Sequence, residues 1–234
     1  MTTPSRTGFA ELDASGGNLS ASATVPAGTN LVVAFWSHWD GNAGSSVSSI
    51  TINGVAMTIQ SQLAEGADEP GVGVATLVSP ATGPQTHALT WSAGGARTEG
   101  GEVVFVYYQD GNTSDPVRAS GTNAATVTNE AAVGLANTET TDRVVGFVQN
   151  FQDGNDPAPV ITGVTAFINN TTLNLHEYDV GDTTGVSGTV TVSNSDRYYT
   201  ATAAISLKES AGGAAFIKLV GNNFRLAGAG GLAS

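Results

Sequence analysis

From Leu19 to Leu207 the chain is a succession of strand-length runs, each closed by Gly, Pro or Asn, and no apolar stripe in it recurs at helical spacing. Leu31 to Trp39 (LVVAFWSHW) is almost continuously apolar, which predicts a strand buried on both faces. Leu19 to Val25 alternates apolar or small residues with hydroxyls and predicts a strand with one covered face. Ser48 to Ile52 and Val55 to Ile59 flank Asn53-Gly54, the pair that suits a two-residue type I′ hairpin because both turn residues need positive φ. Further strands are expected at Val72 to Val78, Thr86 to Trp91 and Glu102 to Tyr108. In the second half of the chain they are expected at Ala124 to Thr128, Arg143 to Phe151, Val160 to Ile168, Thr171 to Tyr178, Gly188 to Val192 and Thr200 to Leu207. Ala131 to Leu135 reads equally as a helical turn or a strand. The expectation is an all-β chain, an antiparallel β-sandwich.

Composition agrees and narrows the function. Gly contributes 30 of 234 residues and only 12% are charged, which favours tight turns over charged disorder or helical bundles. The net charge of −12 argues against a nucleic-acid backbone as partner. The absence of Cys excludes a disulfide framework, a thiol nucleophile and a Cys-ligated zinc site. Met1 to Arg6 has one cation and no apolar run behind it, and nowhere do 18 apolar residues follow one another, so neither a secretion signal nor a membrane span is expected.

The chain also repeats its own style. ATVPAGTNLVVAF (Ala23 to Phe35) is matched by NTETTDRVVGF (Asn137 to Phe147), Ile50 to Val55 by Val160 to Val164, and Thr90 to Tyr107 by Thr191 to Leu207. The chain reads as an N-terminal arm or first strand (1–17), a sandwich (18–210) and a tail (211–234); the matches fit related halves at 18–110 and 122–208, and matches this short also arise by chance in Thr/Val/Gly-rich sequence. All 20 acids and six of the eight bases lie before the tail, which holds Lys218 and Arg225 beside Phe216, Ile217, Leu219, Val220, Phe224 and Leu226. A short apolar, cationic arm after an acidic body fits contact with another chain, and equally a last strand covering an edge of the same sandwich.

Three Asp-Gly-Asn segments follow aromatic-rich runs: Asp40 to Asn42, Asp110 to Asn112 and Asp153 to Asn155, with Asp115 and Asp156 close behind. Their clustered oxygens would suit a hard cation such as Ca²⁺, and the same residues are what tight turns require. His38, His87 and His176 form no metal-binding spacing, no G-x-S-x-G elbow is present, and neither nucleotide-binding Gly motif occurs. No cofactor is therefore expected. Glu99 with Glu102, or Asp68 with Glu69, offer the carboxylate pair a glycosidase needs, but read as solvated loop residues. Trp36, Trp39, Trp91, Tyr107, Tyr108, Tyr198 and Tyr199 supply either core or a sugar-stacking platform, and each Tyr-Tyr pair should place one ring at a surface or interface.

The succession SATVPAGTNLVVAF, SSITINGVAMT, THALTWS, EVVFVYYQDGNTSDPV and RYYTATAAISLKE resembles a jelly-roll β-sandwich domain of tailed-phage virion structural proteins, over roughly residues 18 to 208. The resemblance implies a non-enzymatic capsid decoration protein, made in the host cytoplasm, bound to the major capsid protein and often trimeric. The tail from Ala211 onward has no counterpart in that pattern. The alternative is a carbohydrate-binding module of a tail fibre or surface adhesin, with a glycan as partner.

Overall fold

The computed structural model describes residues 2–14, 17–39, 44–66, 69–92, 99–125, 130–151, 159–173, 176–194 and 199–210. Every regular element in them is a strand. The first half of the chain forms β1 (Ser5–Asp13), β2 (Leu19–Val25), β3 (Leu31–Trp39), β4 (Val47–Ile52), β5 (Val55–Ala56), β6 (Thr58–Leu63), β7 (Gly71–Val78), β8 (Gly83–Trp91) and β9 (Glu99–Gln109). The second forms β10 (Val117–Ala125), β11 (Ala132–Thr138), β12 (Arg143–Asn150), β13 (Ile161–Thr162), β14 (Thr165–Leu173), β15 (His176–Thr184), β16 (Gly188–Asn194) and β17 (Thr200–Leu207).

Four antiparallel sheets result. The first half contributes β1-β9-β3-β7-β6 and β2-β8-β4-β5; the second contributes β10-β17-β12-β15-β14 and β11-β16-β13. Replacing β1, β2, β3, β4, β6, β7, β8 and β9 by β10, β11, β12, β13, β14, β15, β16 and β17 turns one pair of orders into the other, with β5 the one strand left unmatched among the described residues. The three short sequence repeats fall on strands equivalent under this replacement.

Burial explains how the sheets stack. Residues 31–38 of β3 are all buried, as are all of β17 and nearly all of β7 and β12, whereas β2, β8, β11 and β16 are buried mainly at alternate positions. Continuous burial means that the two five-stranded sheets are covered on both faces. On β3, Val32, Ala34 and Trp36 face the four-stranded sheet and pack with Ile50, Leu89 and Phe105. Leu31, Val33 and Phe35 face the other way and pack with Val145, Phe147, Val180 and Ile205 of the second half. A smaller core of Val144, Val148, Leu135 and Val192 joins the second inner sheet to its three-stranded cover. The molecule is thus four layers deep, with a central seam between the inner sheets.

Phe35 and Phe147 hold the same place in β3 and β12, and their rings stack across the seam, centroids 5.8 Å apart and 7° from parallel. Trp39 and Phe151 are likewise equivalent and meet edge to face at 6.2 Å. Two such contacts require β3 and β12 to run side by side in the same direction, related by an approximate twofold axis along them. Leu31 and Arg143 therefore mark one end of the molecule and Trp39 and Phe151 the other.

Local chemistry sets the strand ends. Asn53 and Gly54 have φ of 51° and 78°, and Ile52 pairs with Val55 across them, as the type I′ hairpin demands. Two expectations are corrected and one strand starts earlier than expected: β10 begins at Val117 and takes in Ala124 and Ala125, while residues 126–128 of the expected strand Ala124 to Thr128 lie outside the described residues. Val160 to Ile168 is not one strand, because Gly163 turns the chain at φ 82° where a Cβ would lie 2.0 Å from the Thr191 carbonyl oxygen. Thr171 to Tyr178 is not one strand either: β14 and β15 pair antiparallel, with Leu173 opposite His176. The alternation continues through this reversal without Gly or Pro, and the lone Asn174 is the only turn residue in its sequence.

The Phe35–Phe147 stack generates a prediction. Phe147→Ala should cost about 3–5 kcal/mol by opening a cavity in the seam. Phe9→Ala, at an edge where the ring is 45% exposed, should cost much less. Urea-denaturation midpoints of the two variants measure the difference.

Candidate functional site

The end of the molecule marked by Leu31 and Arg143 gathers the linker between the halves and both ends of the described chain. Thr2 bridges Ser210, Gly111 bridges Glu209, and the Ser210 amide donates to the Asp110 carbonyl at 3.0 Å. The Lys208 amide donates to Pro116 O at 2.8 Å, and Lys208 Nζ pairs with the Asp115 carboxylate. The Asn30 carboxamide matches both backbone groups of Gly111, accepting from its amide at 3.1 Å and donating to its carbonyl at 3.0 Å. Lys208 to Ser210 is thus stitched between linker and N-terminus, and residues 211–234 follow from that fixed point.

Within the linker Asp110 adopts φ 60°. Asn112 Oδ1 accepts from the Ser114 amide at 3.0 Å, the Ser114 hydroxyl at 2.9 Å and the Asp115 amide at 3.0 Å. That is an Asx-type turn in which the carboxamide oxygen is used locally. No group of three His, Asp or Glu able to hold a metal ion occurs among the described residues. Asp40, Asn42, Asp153, Asn155 and Asp156 lie outside the described residues, as do Phe216, Ile217, Lys218, Leu219, Val220, Phe224, Arg225 and Leu226.

The same end holds all four described Lys and Arg side chains, each against an acid. Arg6 and Arg143 both reach Asp182, at 3.3 and 3.6 Å. Arg118 spans Asp142 at 2.6 Å and Glu139 at 2.8 Å. Asp142 is fully buried and also accepts from the Ser206 hydroxyl and the Glu139 amide, both at 2.9 Å. Tyr108 donates to Asp182 at 3.1 Å, and burial pushes its phenol well above the usual value. Sequence reasoning missed Asp142 and Asp182. Their only local signal is an acid placed immediately before, or within, a run that must be covered.

Comparison of the chain with protein-family models, with curated proteins and with solved structures found no match.

Two of the three histidines have described side chains, and both are built into cores. His38 lies against the Trp91 ring at 4.5 Å, with Nε2 3.2 Å from Ser45 O and 3.7 Å from Glu65. His87 donates through Nδ1 to Gln85 O at 3.1 Å and accepts at Nε2 from Tyr107 at 3.0 Å, and burial lowers its pKa, opposed by the backbone bond. Glu102, expected in a solvated loop, is instead fully buried in β9, because that strand is covered on both faces. Tyr107 and Tyr108 do point to opposite faces, yet both are fully buried, one in each core. Trp36 and Trp91 are buried as well, while Trp39 and Tyr199 are partly buried and pack on each other at 4.5 Å. One shallow groove of about 370 Å³ runs beside the linker, lined by Thr58, Gln60, Thr76, Thr113 and Ser114 over an apolar floor that includes Leu77 and Pro116.

Removing Asp142 would leave Arg118, Ser206 and the Glu139 amide without their common acceptor. Asp142→Ala is expected to cost about 3 kcal/mol in equilibrium unfolding. Asp115→Ala, whose carboxylate is 68% exposed, should change stability by less than about 1 kcal/mol.

Proposed function

We propose that this chain is a structural protein of a tailed-phage virion, a capsid decoration protein that binds the major capsid protein lattice as a homotrimer through residues 211–234. The observation that carries the reading is the stitched junction at Lys208 to Ser210. A closed acidic body whose last described residues are pinned beside its first is suited to present an apolar, cationic segment from one fixed end. The nested pairing of β1 with β9, β2 with β8, β3 with β7 and β4 with β5 is what rolling up one long hairpin produces, and it supports a jelly-roll description of the first half. Decoration needs no chemical step. Its free energy is contact area multiplied over many copies, with oligomerisation raising the effective concentration of each arm. The acidic body also avoids the packaged genome.

A second reading, carbohydrate binding, draws on the hydroxyl-lined groove beside the linker, which presents neutral hydrogen-bonding groups and no charge. The aromatic residues that first pointed to a glycan give it less support, since Trp36, Trp91, Tyr107 and Tyr108 are buried.

Deleting residues 211–234 should abolish co-sedimentation with empty capsids of the source particle while leaving the melting temperature of the body within a few degrees. Undiminished occupancy of capsids by the truncated chain would refute the tail's role. Glycan-array binding by a chain that ignores capsids would favour the second reading.

A further inference from the structure

Toward the Trp39 end, a polar layer interrupts the apolar seam between the inner sheets, lying between the Phe35–Phe147 stack and the Trp39–Phe151 contact. It is lined by Ser37 of β3, Glu102 of β9 and Gln149 of β12, all fully buried. Ser37 and Glu102 are register partners in the first half, and Gln149 occupies in β12 the place of Ser37 in β3. Gln149 Nε2 donates across the seam to Glu102 Oε2 at 2.5 Å, and the Gly101 amide approaches the same oxygen at 3.3 Å. Glu102 Oε1 and Gln149 Oε1 are both buried and have no hydrogen-bond partner among the described residues.

Two unpaired acceptors on one hydrogen-bonded pair are costly, since each loses its solvation without compensation. A carboxylate and an amide oxygen cannot bond each other. A proton on Glu102 Oε1 changes that, because a carboxylic acid and a primary amide close a ring of two antiparallel hydrogen bonds, O–H to the amide oxygen and N–H to the carboxyl oxygen. Among the described residues, the charged groups near Glu102 oppose ionisation or leave it unassisted. Asp13 of β1 is its register partner and adds a repulsive field, and Glu11 of β1 accepts from Tyr178 of β15 at 2.7 Å.

We propose that Glu102 and Gln149 form a proton clasp between the two halves, closed by two hydrogen bonds while Glu102 is protonated and opened when it ionises. Burial, the largest cause, pushes the Glu102 carboxyl up to about 8, against smaller opposing contributions from Gln149 and the Gly101 amide. An acid raised in the folded state binds a proton that the unfolded chain has released. The clasp's stabilisation is therefore complete below the usual carboxylate value of 4.5 and is lost as pH rises through about 8. It gives the body a seam that loosens in mild alkali.

The test uses the full chain with Glu102→Gln and Gln149→Leu. An amide at 102 still closes the ring with Gln149 but cannot titrate, so the melting temperature of the wild type should fall relative to Glu102→Gln between pH 5 and pH 8. At pH 7 the wild type should show the infrared C=O stretch of a buried, protonated carboxyl group, absent from Glu102→Gln and shifted in Gln149→Leu. Parallel pH profiles for wild type and Glu102→Gln, or no protonated carboxyl band in the wild type at pH 7, would overturn the proposal. The infrared measurement on the wild type stands even where a variant fails to fold.

Discussion

The seam between the two five-stranded sheets is the contact on which the rest of the molecule depends. Each inner sheet has two apolar faces, and its outer cover satisfies only one of them. Either half alone would leave Leu31, Val33, Phe35, Val104, Val106 and Tyr108, or their counterparts in the second half, facing water. At about 25 cal/mol per Å² of apolar surface, exposure of such a face would consume much of the stability of a domain this size. The two halves are therefore obligate partners, and the stack of equivalent rings at Phe35 and Phe147 is the geometric signature of two similar faces meeting.

Polar groups toward the two ends of the seam complement this. At the Leu31 end, Arg6 and Arg143 converge on Asp182, and Arg143 Nε also donates to Pro4 O at 2.9 Å. These bonds tie the first residues of the chain to the second half. Toward the Trp39 end, Glu102 meets Gln149. An apolar seam alone would tolerate sliding, whereas a hydrogen bond with fixed partners permits one register. Pinning the linker and Lys208 to Ser210 at the first of these ends gives the following residues a defined origin, which a protein attached through a terminal arm would require.

Legibility in the sequence followed the range of the forces involved. The Asn53-Gly54 turn and the bounds of β3 could be read directly, because both depend on neighbours within a few residues. The reversal between Leu173 and His176 could not, since the alternation there continues unchanged. Among candidate site residues, Asp110, Asn112 and Asp115 proved to be organised by local hydrogen bonds and by Lys208. Glu102 reads in sequence as a solvated loop residue, whereas it is fully buried in β9. Its burial comes from strands remote in sequence. Asp142 and Asp182 were missed for the same reason: their partners Ser206, Arg6 and Arg143 lie in other strands.

By itself, then, the sequence determined the all-β class, most strand positions, the two similar halves of the pattern and the contrast between continuous and alternating apolar runs. Those properties arise from φ/ψ preference, side-chain alternation and the solvation of nearby residues, all local quantities. Only the tertiary structure decided that the continuous runs form two inner sheets stacked on each other, that both Tyr107 and Tyr108 are covered, and that a carboxyl group and an amide meet across the seam. These depend on which faces come together, and pairing between faces far apart in the chain is a property of the whole fold.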